Sequence, residues 1–322
     1  MTIPTEQATW FAETFSLLAD NVEQAILGKR KVVELVLATA ISEGHVLLED
    51  FPGTGKTALA RTIAQTISGV STRIQFTPDL LPGDVTGITV YDQKKGEFHF
   101  HSGPVFANVV LADEINRASP KTQSALLEVM EEGQVTVDGV TRPVGSPFLV
   151  IATQNPVEQA GTYKLPEAQL DRFLIKTSLG YPDGKTAVAL LMDSGTRARA
   201  SLVSPIIKPD SIVAMSALAA EVFVDESVMQ YLSDIVDATR KNKDVLLGVS
   251  MRGAMALARA IKTWAITQGR TYATPDDVRD LAGSVLAHRM VLDPESEFAG
   301  VKATDIIERI LLDIEPPAYR AA

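Results

Sequence analysis

The stretch Leu47-Leu48-Glu49-Asp50-Phe51-Pro52-Gly53-Thr54-Gly55-Lys56-Thr57 constrains this chain most, because an apolar strand runs into a Gly-rich turn that ends in Lys-Thr. Those residue types at that spacing suit a cradle for a polyphosphate, and so predict a chain that binds a nucleoside triphosphate. Gly53 and Gly55 leave backbone N–H groups free to point inward, Lys56 reaches the β and γ phosphates, and the Thr57 hydroxyl is placed to ligate Mg²⁺. Ala58 to Thr66 reads as a helix whose N-terminus faces the phosphates, adding its dipole and unpaired N–H donors to the attraction for an anion. The pattern GxxxxGK[ST] has glycine where this chain carries Asp50. Asp tolerates left-handed backbone better than most residues, so the expected turn survives with that carboxylate facing away from the phosphates. The nucleotide-contacting set expected from this stretch is Asp50, Pro52, Gly53, Thr54, Gly55, Lys56, Thr57 and Ala58.

Length and charge bound the rest. At 322 residues and 46% hydrophobic, the chain can bury one large core or two modest ones, and the length favours two. A formal net charge of -10 argues against a surface that generally attracts phosphate backbones, leaving only a local basic groove or an assembled pore for nucleic acid. With no Cys, neither a disulfide nor a thiolate metal site can form, which suits a reducing cytosol. The longest apolar stretch, Val32 to Ile41, is interrupted by Glu34 and is too short to span a bilayer. Met1 to Glu6 shows no basic region followed by an apolar core, so no secretion signal is read there. The expectation is a cytoplasmic protein with no membrane partner.

The first two thirds alternate helical patterns with short apolar runs, as a parallel sheet flanked by helices requires. Residues Gln7–Ile26 and Lys31–Glu43 read as amphipathic helices, and His45–Leu48, Arg73–Phe76, Val109–Leu111 and Leu149–Ala152 as strands whose carboxyl ends would frame a site. Two hairpins are expected. One pairs Ile88–Tyr91 with Glu97–His101, and the other pairs Gln134–Val137 with Val140–Val144 across Asp138-Gly139, a dipeptide suited to the positive φ of a two-residue turn. After Tyr181-Pro182-Asp183-Gly184 the pattern becomes helical without strands, with segments near 210–221, 225–241, 251–268, 275–288 and 303–312. The join between the two parts is expected in Pro182–Pro205, where Gly, Ser and Arg content rises.

A triphosphate cradle alone suits a kinase, a switch GTPase or a motor, so downstream acids must decide. Val109-Val110-Leu111-Ala112-Asp113-Glu114 is an apolar strand ending in two carboxylates. Asp113 is placed to hold Mg²⁺ through its water shell. Glu114 is expected to point the other way along the pleat and to act as the base on an attacking water, an effect typically worth ~10²–10⁴ in rate.

At this point the residues resemble a known family. Asp113-Glu114-Ile115-Asn116-Arg117-Ala118, followed by Leu126-Leu127-Glu128-Val129-Met130-Glu131-Glu132, resembles the Walker B region of MoxR-type AAA+ ATPases. The resemblance continues through Ala152-Thr153-Gln154-Asn155-Pro156, Leu165-Pro166-Glu167-Ala168-Gln169-Leu170-Asp171-Arg172-Phe173 and Gly248-Val249-Ser250-Met251-Arg252, nearly the whole chain in family order. It implies an α/β AAA+ P-loop core with β-hairpin insertions, over residues 1–190, and a small all-α lid over 205–322. It also implies ATP with Mg²⁺, and assembly into a homo-oligomeric ring, usually of six subunits. Asn155 resembles the sensor 1 residue that orients water against the γ phosphate, although an Asn-Pro after a strand also makes a turn. Arg172 resembles the arginine finger that acts on the neighbouring subunit's nucleotide; the alternative is a surface pair with Asp171 or Glu167. Arg252 resembles the sensor 2 arginine, although the family more often has Pro where Met251 stands. Leu27-Gly28-Lys29 resembles the loop bordering the adenine.

Arg117 and Lys121 suit either a subunit interface near the nucleotide or a solvated helix start. His99 and His101 share one face of a strand, as a hairpin surface, a hinge contact or metal ligands lacking a third partner. MoxR-like proteins are regarded as chaperones for maturing enzyme complexes that work with a partner carrying a von Willebrand factor A domain, so the resemblance implies a Mg²⁺-dependent ATPase that remodels client proteins. The alternatives are a nucleic-acid motor, for which Lys94-Lys95 is the only basic pair at a hairpin tip, a magnesium-chelatase-like ATPase subunit, and a nucleotide-gated binding module that barely turns over.

Overall fold

The protein is described from a computed structural model, over residues 3–51, 53–155, 162–192 and 199–317. Pro52 and Pro156, both named above, lie outside the described residues. Helices α1 (Thr5–Glu23) and α2 (Arg30–Ile41) precede strand β1 (Val46–Glu49), which feeds the Gly-rich turn and α3 (Lys56–Thr66). Then come β2 (Ser71–Gln75), the short α4 (Pro82–Thr86), the hairpin of β3 (Gly87–Asp92) and β4 (Glu97–Ser102), and β5 (Val109–Asp113). Helix α5 (Pro120–Glu132) leads to a second hairpin, β6 (Gln134–Val137) and β7 (Val140–Pro143), and to β8 (Leu149–Gln154). α6 (Glu167–Leu170), β9 (Ile175–Thr177) and α7 (Gly184–Met192) follow. The remainder holds α8 (Pro209–Ala220), α9 (Glu226–Lys241), β10 (Val245–Leu247), α10 (Met251–Thr267), α11 (Pro275–Leu286), β11 (Val291–Leu292), α12 (Pro294–Phe298) and α13 (Ala303–Asp313).

The main sheet has the order β2-β5-β8-β1-β9. β2 with β5, β5 with β8 and β1 with β8 pair in parallel. Their apolar runs, Val-Val-Leu-Ala in β5, Leu-Val-Ile-Ala in β8 and Val-Leu-Leu in β1, are buried, as strands covered by helices on both faces must be. Because the strands are parallel, their carboxyl ends meet at one edge, with Glu49 beside Gln154 and Gln75 beside Asp113. β2 lies at the margin of the sheet and buries only Ile74, so Arg73 and Gln75, two residues apart, share a more open face.

Both hairpins form. Asp138 and Gly139 take φ of 52° and 75° between β6 and β7, the pair of positive values that a two-residue hairpin turn needs. In the first hairpin His101 stands opposite Ile88 and His99 opposite Val90, so the histidines share a face. Among the described residues no group of three or more His, Cys, Asp or Glu could hold a metal. The two hairpins meet where the Arg142 guanidinium lies 4.0 Å over the Phe100 ring.

The chain divides into two compact units: Leu17–Leu165 with Thr177–Val213, and Met1–Ser16 with Pro166–Lys176 and Ala214–Ala322. The second is mostly helical, with the first residues of β9 and with β10 and β11, a small antiparallel pair not expected from the sequence, whose few residues carry too short an alternation to read. Its helices start on side chains chosen for the purpose: Asp225 accepts from Ser227 N at 2.9 Å and Ser250 from Gly253 N at 3.1 Å. Asp277 receives Thr274 N at 2.7 Å and both terminal nitrogens of Arg270. The segment expected to hold the join, Pro182–Pro205, contains α7, none of whose side chains is buried.

Among the described residues no helix is long and apolar enough to cross a membrane.

Candidate functional site

A cavity of about 430 Å³ opens at the carboxyl ends of β2 and β5. It is lined by Gly53, Thr54, Gly55, Lys56, Thr57, Arg73, Gln75, Asp113 and Glu114. The sequence of the turn explains its side of the cavity. Gly53 and Gly55 adopt φ of 83° and 95°, conformations L side chains rarely take, and no heavy atom lies within 4 Å of where a Cβ would stand. Space therefore remains beside the backbone. α3 begins at Lys56, two residues before its expected start, so the first-turn N–H groups, which have no intrahelical partner, sit at the cavity. Lys56 Nζ donates to the carbonyls of Phe51 (3.0 Å) and Asp50 (3.3 Å), which holds the ammonium across the turn.

The opposite wall is a hydrogen-bonded network around two carboxylates. Asp113 ends β5 and is 8% exposed; its Oδ1 accepts from Thr153 Oγ1 at 2.7 Å and its Oδ2 from Arg73 Nη2 at 2.7 Å. Glu114 Oε2 accepts from Gln75 Nε2 at 2.7 Å and from Arg117 Nη1 at 3.0 Å. The expectation that Glu114 points away from Asp113 along the pleat is corrected here. Glu114 has left the strand for the left-handed region (φ 58°, ψ 49°), so its side chain lines the same cavity. That backbone costs a non-glycine residue about 1–2 kcal/mol, and the bond from Glu114 N to Thr153 Oγ1 (2.9 Å) holds it there. Arg117 is thereby placed as well, as a partner of Glu114.

Asp50 keeps the turn intact by a different route from the one expected. It does not adopt positive φ; its carboxylate is buried (1% exposed) and accepts from Ser178 Oγ (2.9 Å), Leu179 N (2.6 Å) and Gly180 N (2.8 Å). All three donors lie in the segment after β9, so the side chain is a support for the turn rather than part of the cavity lining. Gly28 (φ +68°) faces Thr186, whose Oγ1 would lie 2.9 Å from a Cβ, and Lys29 Nζ donates to Tyr181 O at 2.8 Å. Asn155 directly follows β8, and Ala58 lies in the first turn of α3; neither lines the cavity. Arg172 and Arg252 belong to the helical unit. Arg172 follows α6, and Asp171 beside it is engaged by Arg289 and Ser250. Arg252 is the second residue of α10, an exposed position in a helix that starts on the Ser250 cap with Met251 in place of Pro.

Comparison with known proteins gives the family. The profile of the ATPase family associated with various cellular activities (AAA) matches residues 45–175, and that of the AAA lid domain matches 237–310. The chain is 40% identical over 310 residues to the chaperone MoxR1 of Mycobacterium tuberculosis, covering 94% of this chain and 82% of that protein. This chain belongs to the MoxR-type AAA+ ATPases. It is also 46% identical over 303 residues to the uncharacterized protein YeaC of Bacillus subtilis, covering 94% and 95% of the two chains. A crystal structure from Cytophaga hutchinsonii described as an ATPase superposes with a TM-score of 0.90 at 38% identity, over 97% of this chain and 98% of that one. The protein is thus a nucleotide-binding enzyme that hydrolyses ATP, built as an AAA+ core with a helical lid region.

Three residues in or behind the walls of this cavity escaped the sequence: Arg73, Gln75 and Thr153. The first two leave a trace, since polar side chains at alternate positions of a strand next to β5 mark a face turned toward something polar. Thr153 leaves none. A single Thr in an apolar strand reads as an ordinary β-branched residue.

Proposed function

We propose that this MoxR-type protein couples Mg²⁺-dependent ATP hydrolysis to the remodelling or maturation of partner proteins. The meeting of Lys56, Thr57, Asp113 and Glu114 around one cavity carries the proposal. The turn's N–H groups and Lys56 hold the β and γ phosphates. Glu114 accepts a proton from the water whose oxygen forms a bond to the γ phosphorus as the bond to the β–γ bridging oxygen breaks, leaving ADP and phosphate. Asn155 orients that water. Thr57 and Asp113, a hydroxyl and a carboxylate, are hard oxygen donors of the kind Mg²⁺ takes, and they would hold it. When bound, Mg²⁺ neutralises charge on the β and γ phosphates. Arg252 reaches the γ phosphate of its own subunit and Arg172 that of a neighbour, within a homo-oligomeric ring of six.

The core is taken as 1–190 and the lid as 205–322, a division supported by profile matches at 45–175 and 237–310. The chaperone role is supported by the name of the MoxR1 relative. A cytoplasmic location, client proteins and a partner with a von Willebrand factor A domain complete the proposal. Glu114→Gln tests its chemical heart: the variant is expected to bind radiolabelled ATP as the parent does while hydrolysing it ~10²–10⁴ more slowly. Unchanged turnover would remove Glu114 from the role of base.

A further inference from the structure

The helical unit buries a cation whose partners surround Arg172. The Arg289 side chain is 2% exposed. Its Nε donates to Asp171 Oδ1 at 2.6 Å, its Nη2 to the carbonyls of Phe173 (2.8 Å) and Asp171 (3.2 Å), and its Nη1 to those of Leu174 (3.2 Å) and Val285. Four of these five acceptors lie in Asp171–Leu174, so one guanidinium grips the backbone on both sides of residue 172. The other oxygen of Asp171, Oδ2, accepts from Ser250 Oγ at 3.1 Å. Ser250 is the N-cap of α10, in which Arg252 is the second residue.

Stability alone is a poor reason for such an arrangement. A buried ion pair typically contributes no more than well-packed apolar residues of the same volume. What the planar fork supplies is geometry, because its donors fix the orientation of the groups that accept from them. Given the proposed role of Arg172 as a finger on the neighbouring subunit's nucleotide, we infer that Asp171 and Arg289 are positioning residues for Arg172. They form a clamp that holds the finger segment rigid and, through Ser250, ties it to the start of the helix carrying Arg252. A shift of α10 on engagement of Arg252 is then passed to Arg172, which links the nucleotide of one subunit to catalysis in the next.

A double-mutant cycle on the full-length, assembled protein tests this, with kcat and KM measured on radiolabelled ATP. Asp171→Asn removes the charge that orients Arg289. Arg289→Lys keeps the buried charge but loses the fork, and serves if the first variant does not fold by thermal unfolding. In the parent, each lowers kcat about 10–100-fold, the size of effect a roughly 1 Å misplacement produces, and leaves KM within about threefold. In an Arg172→Ala background, where no finger remains to be held, each lowers kcat by less than about threefold. Equal losses in both backgrounds, or no loss of kcat in the parent, overturn the clamp. Should Arg172→Ala alone leave kcat unchanged, the finger role itself fails and the clamp falls with it; that outcome is distinct from a clamp that fails beside a working finger.

Discussion

Thr153→Val offers a sharp test of how the two carboxylates are held. The substitution nearly preserves shape but removes a hydroxyl that is fully buried and used twice, as donor to Asp113 Oδ1 at 2.7 Å and as acceptor from Glu114 N at 2.9 Å. A hydrogen bond to a charged group is worth about 1.5–3 kcal/mol, and a buried N–H left without a partner costs about 1–3 kcal/mol. Arg73 still holds the other oxygen of Asp113, so the lower ends apply and the expected loss is about 2.5 kcal/mol in urea unfolding. The catalytic effect is separate. Glu114 is kept in the left-handed region partly by its bond to Thr153, and once released it relaxes toward an ordinary conformation that swings its carboxylate out of place. A displacement near 1 Å lowers kcat by about 10². Thr153→Ser, which keeps both hydrogen bonds, stays close to the parent in both assays. A valine variant within about 0.5 kcal/mol of the parent in unfolding and within threefold in kcat would refute the network, since surface-like substitutions fall in that range.

Lys56→Ala removes the cation of the turn and is expected to weaken ATP binding about 10–100-fold by calorimetry, the loss of one charge-assisted hydrogen bond; retained tight binding would contradict the cradle. Gln75→Ala withdraws the Gln75 Nε2 donor from Glu114 Oε2 and leaves Arg117 to orient that carboxylate, so kcat should fall several-fold, and an unchanged kcat would show that Gln75 does not position the base. His288, in the helical unit, has its pKa held well below 6.5, first by burial and then by the nearby Arg289 and Lys176 charges. The unfolded chain therefore takes up a proton as pH falls through about 6.5 while the folded one does not. Stability is full above that pH and is lost below it, so Tm should drop between pH 7 and 5.5, and His288→Gln should flatten that slope; an unchanged slope would exclude His288 as its source.

Much of the core was legible because its signals are local. The apolar runs ending at Glu49, Asp113 and Gln154 are continuous enough to mark buried parallel strands, and Asp138-Gly139 has essentially one use between two β-rich segments. What could not be read depends on neighbours remote in the chain. Asp50 looked like a defect in a glycine pattern, yet its carboxylate is satisfied by donors about 130 residues away. Glu114 obeys strand alternation in the sequence and breaks it in space, because a bond to Thr153 on another strand stabilises a backbone that local propensity disfavours. Arg289 is an ordinary basic residue near a helix end until the segment around Arg172 folds onto it.

The most direct measurement is a crystal structure of the protein grown with Mg²⁺ and a non-hydrolysable ATP analogue. The triphosphate should lie along Gly53–Thr57 with Mg²⁺ at Thr57 and Asp113, and with a water between the γ phosphate and the Glu114 carboxylate. A nucleotide bound elsewhere, or Asp113 and Glu114 turned away from its phosphates, would contradict the assignment of this cavity as the site of hydrolysis.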